Sequence, residues 1–400
     1  MKYLFVILDG AVDRPLKELD ERTPLMVAAG DHLKAMARKA RIGAVQVLPP
    51  DWSGDVEASL LSLFGYDPKE HFTGRGALEA AAMQIDLDRA DVGFSVNFVQ
   101  MDGERLLDPT AGQLPKAAGR ELAQFVQDTL RIRDIHFYPA AGSRHVAVWR
   151  DGPDGIRCTP PYEVQGEKLR THFPTGDRAE RLIGVMWDSA EILADHPINK
   201  RRRDDGKPTA DMVWPWAPGR APQLQGWGFR HGVGGACVAG SPLVQGLARL
   251  TGLRVVDVPG ATGSLDTDYT MKAKAALSAL ERYPFCLVHL EAPNAASLAG
   301  DLEAKLDALR RIDERFFGTV LNKIGKLDDF RILVAVDHPS YVEKRKATPG
   351  WTPFMITGSQ EKVQTRGILP FDERALDDTD WRIDEGHRLL DQLFEGEPVG

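Results

Sequence analysis

Short, mostly apolar runs alternate with longer stretches in which apolar positions return every three or four residues. The runs lie at 3–8 (YLFVIL), 236–239, 253–258, 285–290 and 332–336. Runs of this length and purity predict strands buried on both faces, as in a parallel sheet. Helical spacing fills the gaps at 243–250, 269–280 and 301–324. The alternation predicts βαβ units and an α/β fold with a doubly wound, mostly parallel sheet.

From about 110 to 227 the pattern changes. Its apolar segments are short (135–138 and 145–149) and broken by Gly and Pro, and a Trp/Pro-rich run follows at 214–222. Buried strand character resumes only after about 228. The expected organisation is a discontinuous core domain, 1–109 with 228–400, carrying an inserted smaller α/β domain at 110–227. There is no internal repeat and no low-complexity tract.

Composition narrows the class. Four hundred residues suit two domains. The formal charge of −8 argues against reading nucleic acid through bulk positive charge. No apolar run approaches the ~20 residues of a spanning helix, so no membrane role is expected and the cytoplasm is the expected location. Cys158, Cys237 and Cys286 are too scattered for a disulfide framework or a zinc knuckle.

Chemistry in open α/β sheets gathers at the carboxyl ends of strands. Asp9 ends the first run, and Asp337-His338 end the run at 332–336. Two carboxylates and an imidazole there would suit one divalent metal. The plainer alternative is a polar cluster in which the residues hold each other. The turn at 260–264 (GATGS), containing Thr262, offers backbone N–H groups to an anion. Arg75 and Arg144 stand beside flexible backbone, and Arg201 lies in the basic run 200–203, which is as well explained by a solvated face. No Walker A pattern, GxSxG elbow or HExxH helix is present, and no nucleotide cofactor is expected.

Several long segments then combine into a resemblance. ILDGAVDRP, LFGYDP, FTGRGALEAA, HPINKRRRDDGKPTAD, VPGATGSLDTDY and VDHP together resemble the archaeal-type 2,3-bisphosphoglycerate-independent phosphoglycerate mutases, a branch of the alkaline phosphatase superfamily. The resemblance implies an alkaline-phosphatase-like core with two divalent metals, usually manganese, and an inserted domain that helps enclose the substrate. It also implies a serine that carries the phosphoryl group between the hydroxyls of glycerate, the isomerase step of glycolysis.

Carried over residue by residue, Asp9, Asp337 and His338 match ligands of one metal. Arg75, Arg144, Arg201 and Thr262 stand in motifs that bind substrate. The nucleophile's position is Val56, with Ser53 and Ser59 the nearby serines. The second metal's positions are Asn294, Leu298 and Ala347, of which the last two cannot bind a cation. The expectation is therefore a mutase-like protein with a degraded dinuclear site. It would hold at most one ion (Mn, Zn or Mg), bind a small phosphorylated or carboxylated metabolite, and no longer run the standard reaction. Two alternatives stay open. One is an active mutase, or a related phosphotransferase or hydrolase, using a shifted serine. The other is a non-catalytic subunit that binds a protein partner, for which an exposed Trp/Pro surface from Trp214 to Trp227 could serve, although packing within the inserted domain is the commoner explanation of that run.

Overall fold

The structure, a computed structural model, describes residues 1–52, 55–140, 142–327, 329–360 and 368–395. Its strands are β1 (Lys2–Leu8), β2 (Arg41–Gln46), β3 (Val92–Asp102), β4 (Arg105–Asp108), β5 (Ile135–Tyr138), β6 (Arg144–Trp149), β7 (Met212–Gly219) and β8 (Gly235–Val238). The remainder are β9 (Arg254–Val255), β10 (Phe285–Leu290), β11 (Phe330–Ala335), β12 (Ser340–Tyr341), β13 (Lys346–Ala347), β14 (Trp351–Gly358) and β15 (Arg382–Ile383).

The chain forms two compact units, Met1–Phe72 with Leu224–Gly400, and Thr73–Gln223. The first carries an eight-stranded sheet in the order β15-β2-β14-β11-β1-β10-β8-β9. Its centre is parallel, as the apolar runs require: β1 pairs in parallel with β10 and β11, and β8 with β10. β14 enters antiparallel between β11 and β2. The mixed α/β architecture agrees with the expected fold class. Leu4, Val6, Leu8, Val288 and Val334 are fully buried in one large core with residues of the flanking helices.

The expected boundary at 110 moves to 73. β3, placed in the core domain by sequence, pairs antiparallel with β6 and β7 and so belongs to the inserted unit. The helix Arg75–Ala82 lies against it, and a Cβ at Gly76 would stand 2.3 Å from the carbonyl oxygen of Gly93. Only glycine permits that approach. The expected strand at 253–258 contracts to β9. The expected helix at 301–324 is interrupted by a π-helical turn, Ile312–Phe317. The turn carries Asp313, whose carboxylate accepts a 2.7 Å hydrogen bond from the backbone N–H of Leu33.

Of the two explanations for the Trp/Pro run, inward packing holds for its tryptophans and an exposed surface does not. Trp214, Trp216 and Trp227 are each 1% exposed. The first two are on β7 inside the smaller unit, where Trp214 donates its indole N–H to the Thr159 carbonyl and Trp216 to Asn97 Oδ1. Indoles pack inward when their one donor finds a partner. Among the described residues no helix is long and apolar enough to cross a membrane.

Candidate active site

Strand register builds the centre. Ile7 of β1 is level with Ala335 of β11, so Asp9 and Asp337, each two residues further on, emerge side by side. Ile7 is also level with His289 on β10, the neighbour on the other side. Three adjacent parallel strands therefore aim two carboxylates and two imidazoles at one point, with His338 following Asp337. All four side chains are almost wholly buried.

Asp9, Asp337 and His338 each offer a ligand atom within 4.8 Å of the others. His289 Nε2 lies 3.0 Å from Asp9 Oδ2, His338 Nε2 lies 3.7 Å from Asp9 Oδ1, and His338 Nδ1 lies 2.9 Å from Asp337 Oδ2. These contacts are close, but Asp9 Oδ1, Asp337 Oδ2 and both ring nitrogens of each histidine lack a hydrogen-bonded partner among the described residues. Asp337 Oδ1, by contrast, accepts from the backbone N–H groups of Gly10 (3.0 Å) and His338 (2.9 Å). One carboxylate oxygen is thus anchored while its twin and the neighbouring donors are left convergent.

Burial and the close charges shift every group of the centre. Burial and the Asp337 charge push the Asp9 carboxyl well above its ordinary range. Burial also opposes ionisation of Asp337, but the adjacent His338 outweighs it and holds that carboxyl low. Burial disfavours the His338 imidazolium, yet the Asp337 and Asp9 carboxylates raise it to about 9. Burial lowers His289. A buried centre of two carboxylates and two imidazoles, with several oxygen and nitrogen atoms left without a hydrogen bond, fits a divalent cation. Among the described residues no other group of His, Cys, Asp and Glu is so arranged.

The inserted unit has its own charged cluster. Glu79 is buried, accepts from Arg75 Nε (2.8 Å) and Ser95 Oγ (2.6 Å), and lies 3.9 Å from Arg144 Nη1. Burial works to raise the Glu79 carboxyl, but the two guanidiniums and the Ser95 hydroxyl hold it below its usual range. Both guanidiniums also lie over the Trp216 ring, at 5.3 and 5.8 Å. One carboxylate thus aligns two arginines against an aromatic face, with Arg144 the more exposed.

The chain as a whole has close relatives among known proteins. The model of the 2,3-bisphosphoglycerate-independent phosphoglycerate mutase family matches residues 37–199. A probable mutase of this kind from Geobacter sulfurreducens is 37% identical over 99% of this chain and all of its own length. One from Methanothrix thermoacetophila is 35% identical with the same coverage. The chain belongs to the 2,3-bisphosphoglycerate-independent phosphoglycerate mutase family. Solved structures agree: a Pyrococcus horikoshii protein superposes with a TM-score of 0.82 at 27% identity, over 100% of this chain and 99% of its own. The cofactor-independent phosphoglycerate mutase of Thermoplasma acidophilum gives 0.63 at 28% identity, over 99% of each chain.

Within this mutase framework the remaining expected positions divide. Val56 lies in the turn before the helix Ala58–Leu63. Ser59 is in that helix, fully buried, its hydroxyl without a partner among the described residues. Ser53 lies outside the described residues. Asn294 accepts from Ser340 Oγ at 2.8 Å, and Ala347 is paired with Ser340 across the β12–β13 ribbon. Leu298 is 47% exposed.

Thr262 donates its hydroxyl to Asp266 and its N–H to Thr267, so it also shapes its own loop. Arg201 is exposed on the helix Pro197–Asp204. Its neighbours are tied locally, Lys200 to Asp195, Arg202 to the Pro208 and Ala111 carbonyls, and Arg203 to the Ala194 carbonyl.

Sequence reasoning did not single out two residues. His289 sits inside an apolar run, and only the pairing of β10 with β1 reveals that it points at Asp9. Glu79 falls in an alanine-rich helix, where nothing marks it as the partner of distant Arg144.

Proposed function

We propose that the protein interconverts 3-phosphoglycerate and 2-phosphoglycerate, with the phosphoryl group carried by Ser53 or Ser59 in place of the position occupied by Val56. The observation that carries this reading is the buried Asp9–His289–Asp337–His338 centre, in a chain that is 37% identical along its whole length to a probable mutase.

In the first half-reaction the serine oxygen bonds to phosphorus as the bond from phosphorus to the C3 oxygen breaks, and the serine proton passes to the departing oxygen. The C2 hydroxyl then attacks the phosphoserine, and the proton returns to the serine. A divalent cation, when bound, supplies positive charge to the transferring oxygens. Asp9, Asp337 and His338 would hold it, with His289 orienting Asp9. Arg75 and Arg144 would take an anionic group of the substrate, kept in place by Glu79 and Trp216. Arg201 and Thr262 are proposed substrate contacts on sequence context.

A second reading is favoured by specific residues. Val56, Leu298 and Ala347 cannot serve as nucleophile or ligands, and Ser59 is buried. On that reading the protein binds a phosphorylated or carboxylated metabolite without transferring the phosphoryl group.

Phosphorus NMR of the protein with 3-phosphoglycerate and manganese separates the two. The mutase reading expects a growing 2-phosphoglycerate signal, abolished in Asp9→Asn and in one of Ser53→Ala and Ser59→Ala. Silence at stoichiometric protein, with the substrate resonance broadened by the protein in a parallel manganese-free sample, supports the binding reading. Silence with no broadening removes both.

A further inference from the structure

The ligands Asp9, Asp337 and His338 sit at the starts of two loops, one leaving β1 and one leaving β11. The backbones of these loops meet once, where Val12 and Pro339 form an isolated bridge and the Ser340 N–H donates to the Val12 carbonyl at 2.9 Å. Beneath that bridge lies Lys305, fully buried on the helix Leu302–Arg311. Its ammonium donates to Asp13 Oδ2 at 2.8 Å and to the Ser340 carbonyl at 2.7 Å. Asp13 Oδ2 also accepts from the Val342 N–H at 3.1 Å. Beyond the pair, Glu373 accepts from the Asp13 N–H at 3.0 Å and from the Thr23 hydroxyl at 2.5 Å.

A buried ammonium is costly unless it is paired, and here one donor meets a carboxylate and a second a carbonyl, which makes a stiff junction. Here it joins a side chain four residues past Asp9 to a backbone carbonyl two residues past His338. A shift of either loop would break a charged bond in a dry site.

We propose that Lys305 and Asp13 are positioning residues for the cation centre, setting the separation of Asp9 from Asp337 and His338 and hence its affinity for the ion. This rests on the reading of those three residues as a cation site. No atom of Lys305 or Asp13 need touch the ion, because outer residues that fix ligand geometry govern affinity through the ligands.

The test uses the full chain carrying Lys305→Met with Asp13→Asn, which removes both buried charges together and leaves neither stranded. Lys305→Arg is a second variant that keeps the charge but not its shape. Leu309→Ala, one turn further along the same helix and buried in the same core, controls for simple destabilisation. Two quantities are read below the unfolding temperature. The first is the Mn2+ dissociation constant by calorimetry. The second, in metal-free protein, is hydrogen exchange at the Gly10 and His338 amides, both bonded to Asp337 Oδ1.

The double variant is expected to weaken Mn2+ binding by about tenfold to a hundredfold. It should also speed exchange at those two amides relative to Leu287 in mid-strand, while Leu309→Ala does neither. Lys305→Arg should fall between. Unchanged affinity and exchange in the folded variants overturn the proposal, as does an equal loss in Leu309→Ala. If the unaltered protein binds no Mn2+, the cation reading fails by itself, and amide exchange still decides whether the pair positions the loops.

Discussion

Asp9, Asp337 and His338 were legible one residue at a time, because each ends a strongly apolar run and carboxyl ends of strands collect chemistry. Glu373 was not. It lies near the C-terminus, yet its carboxylate meets Asp13 and Thr23. Burial and the neighbouring Asp372 raise its carboxyl from an ordinary 4.5 to about 7, against the hydrogen bonds it accepts. Below 4.5 it is protonated in both folded and unfolded chains and has no effect. Between 4.5 and 7 the folded state keeps a proton that the unfolded state gives up, so stability falls as pH rises, and above 7 the loss is complete. The size is at most about 3 kcal/mol. Glu373→Gln should flatten this slope, gaining stability relative to the parent at pH 8 compared with pH 5 in urea denaturation. Equal differences at both pH values would show that Glu373 titrates normally.

At the level of elements, the buried parallel strands β1, β10 and β11 announce themselves by composition, whereas β3 does not. Its partners β6 and β7 are about 50 and 115 residues further along the chain, and nothing in its own sequence says which sheet it joins. That non-local pairing is why the inserted unit began earlier than its sequence suggested. Local register also explains the centre, because only the alignment of β10 with β1 brings His289 to Asp9.

The turn after β1 is tightly constrained. Gly10 has φ of +63°, and a Cβ there would lie 2.7 Å from the Asn294 Cβ and 2.9 Å from that of Ser340. Gly10→Ala should cost about 2 kcal/mol or more. It should also disturb the N–H that anchors Asp337, seen as a lower unfolding temperature together with weaker Mn2+ binding. A stable variant with unchanged binding would mean that the turn tolerates movement.

Across the whole molecule, family membership rests on likeness along nearly the full chain, while the site is uneven. Asp9, Asp337 and His338 converge in one buried cluster in which several polar atoms lack a hydrogen bond. The positions expected to complete a second one hold an amide, an exposed leucine and an alanine. The separate Arg75–Glu79–Arg144–Trp216 cluster could not be assembled from sequence, since its members come from a helix, β6 and β7. Covalent spacing says nothing about which of many arginines shares a carboxylate.

Asp9, Asp337 and His338 are proposed to hold a divalent cation. Anomalous diffraction from crystals grown with Mn2+ tests it most directly. One peak per chain is expected at bonding distance from those three side chains, lost in Asp9→Asn. An empty centre at saturating Mn2+, or a peak that survives Asp9→Asn unchanged, would contradict it.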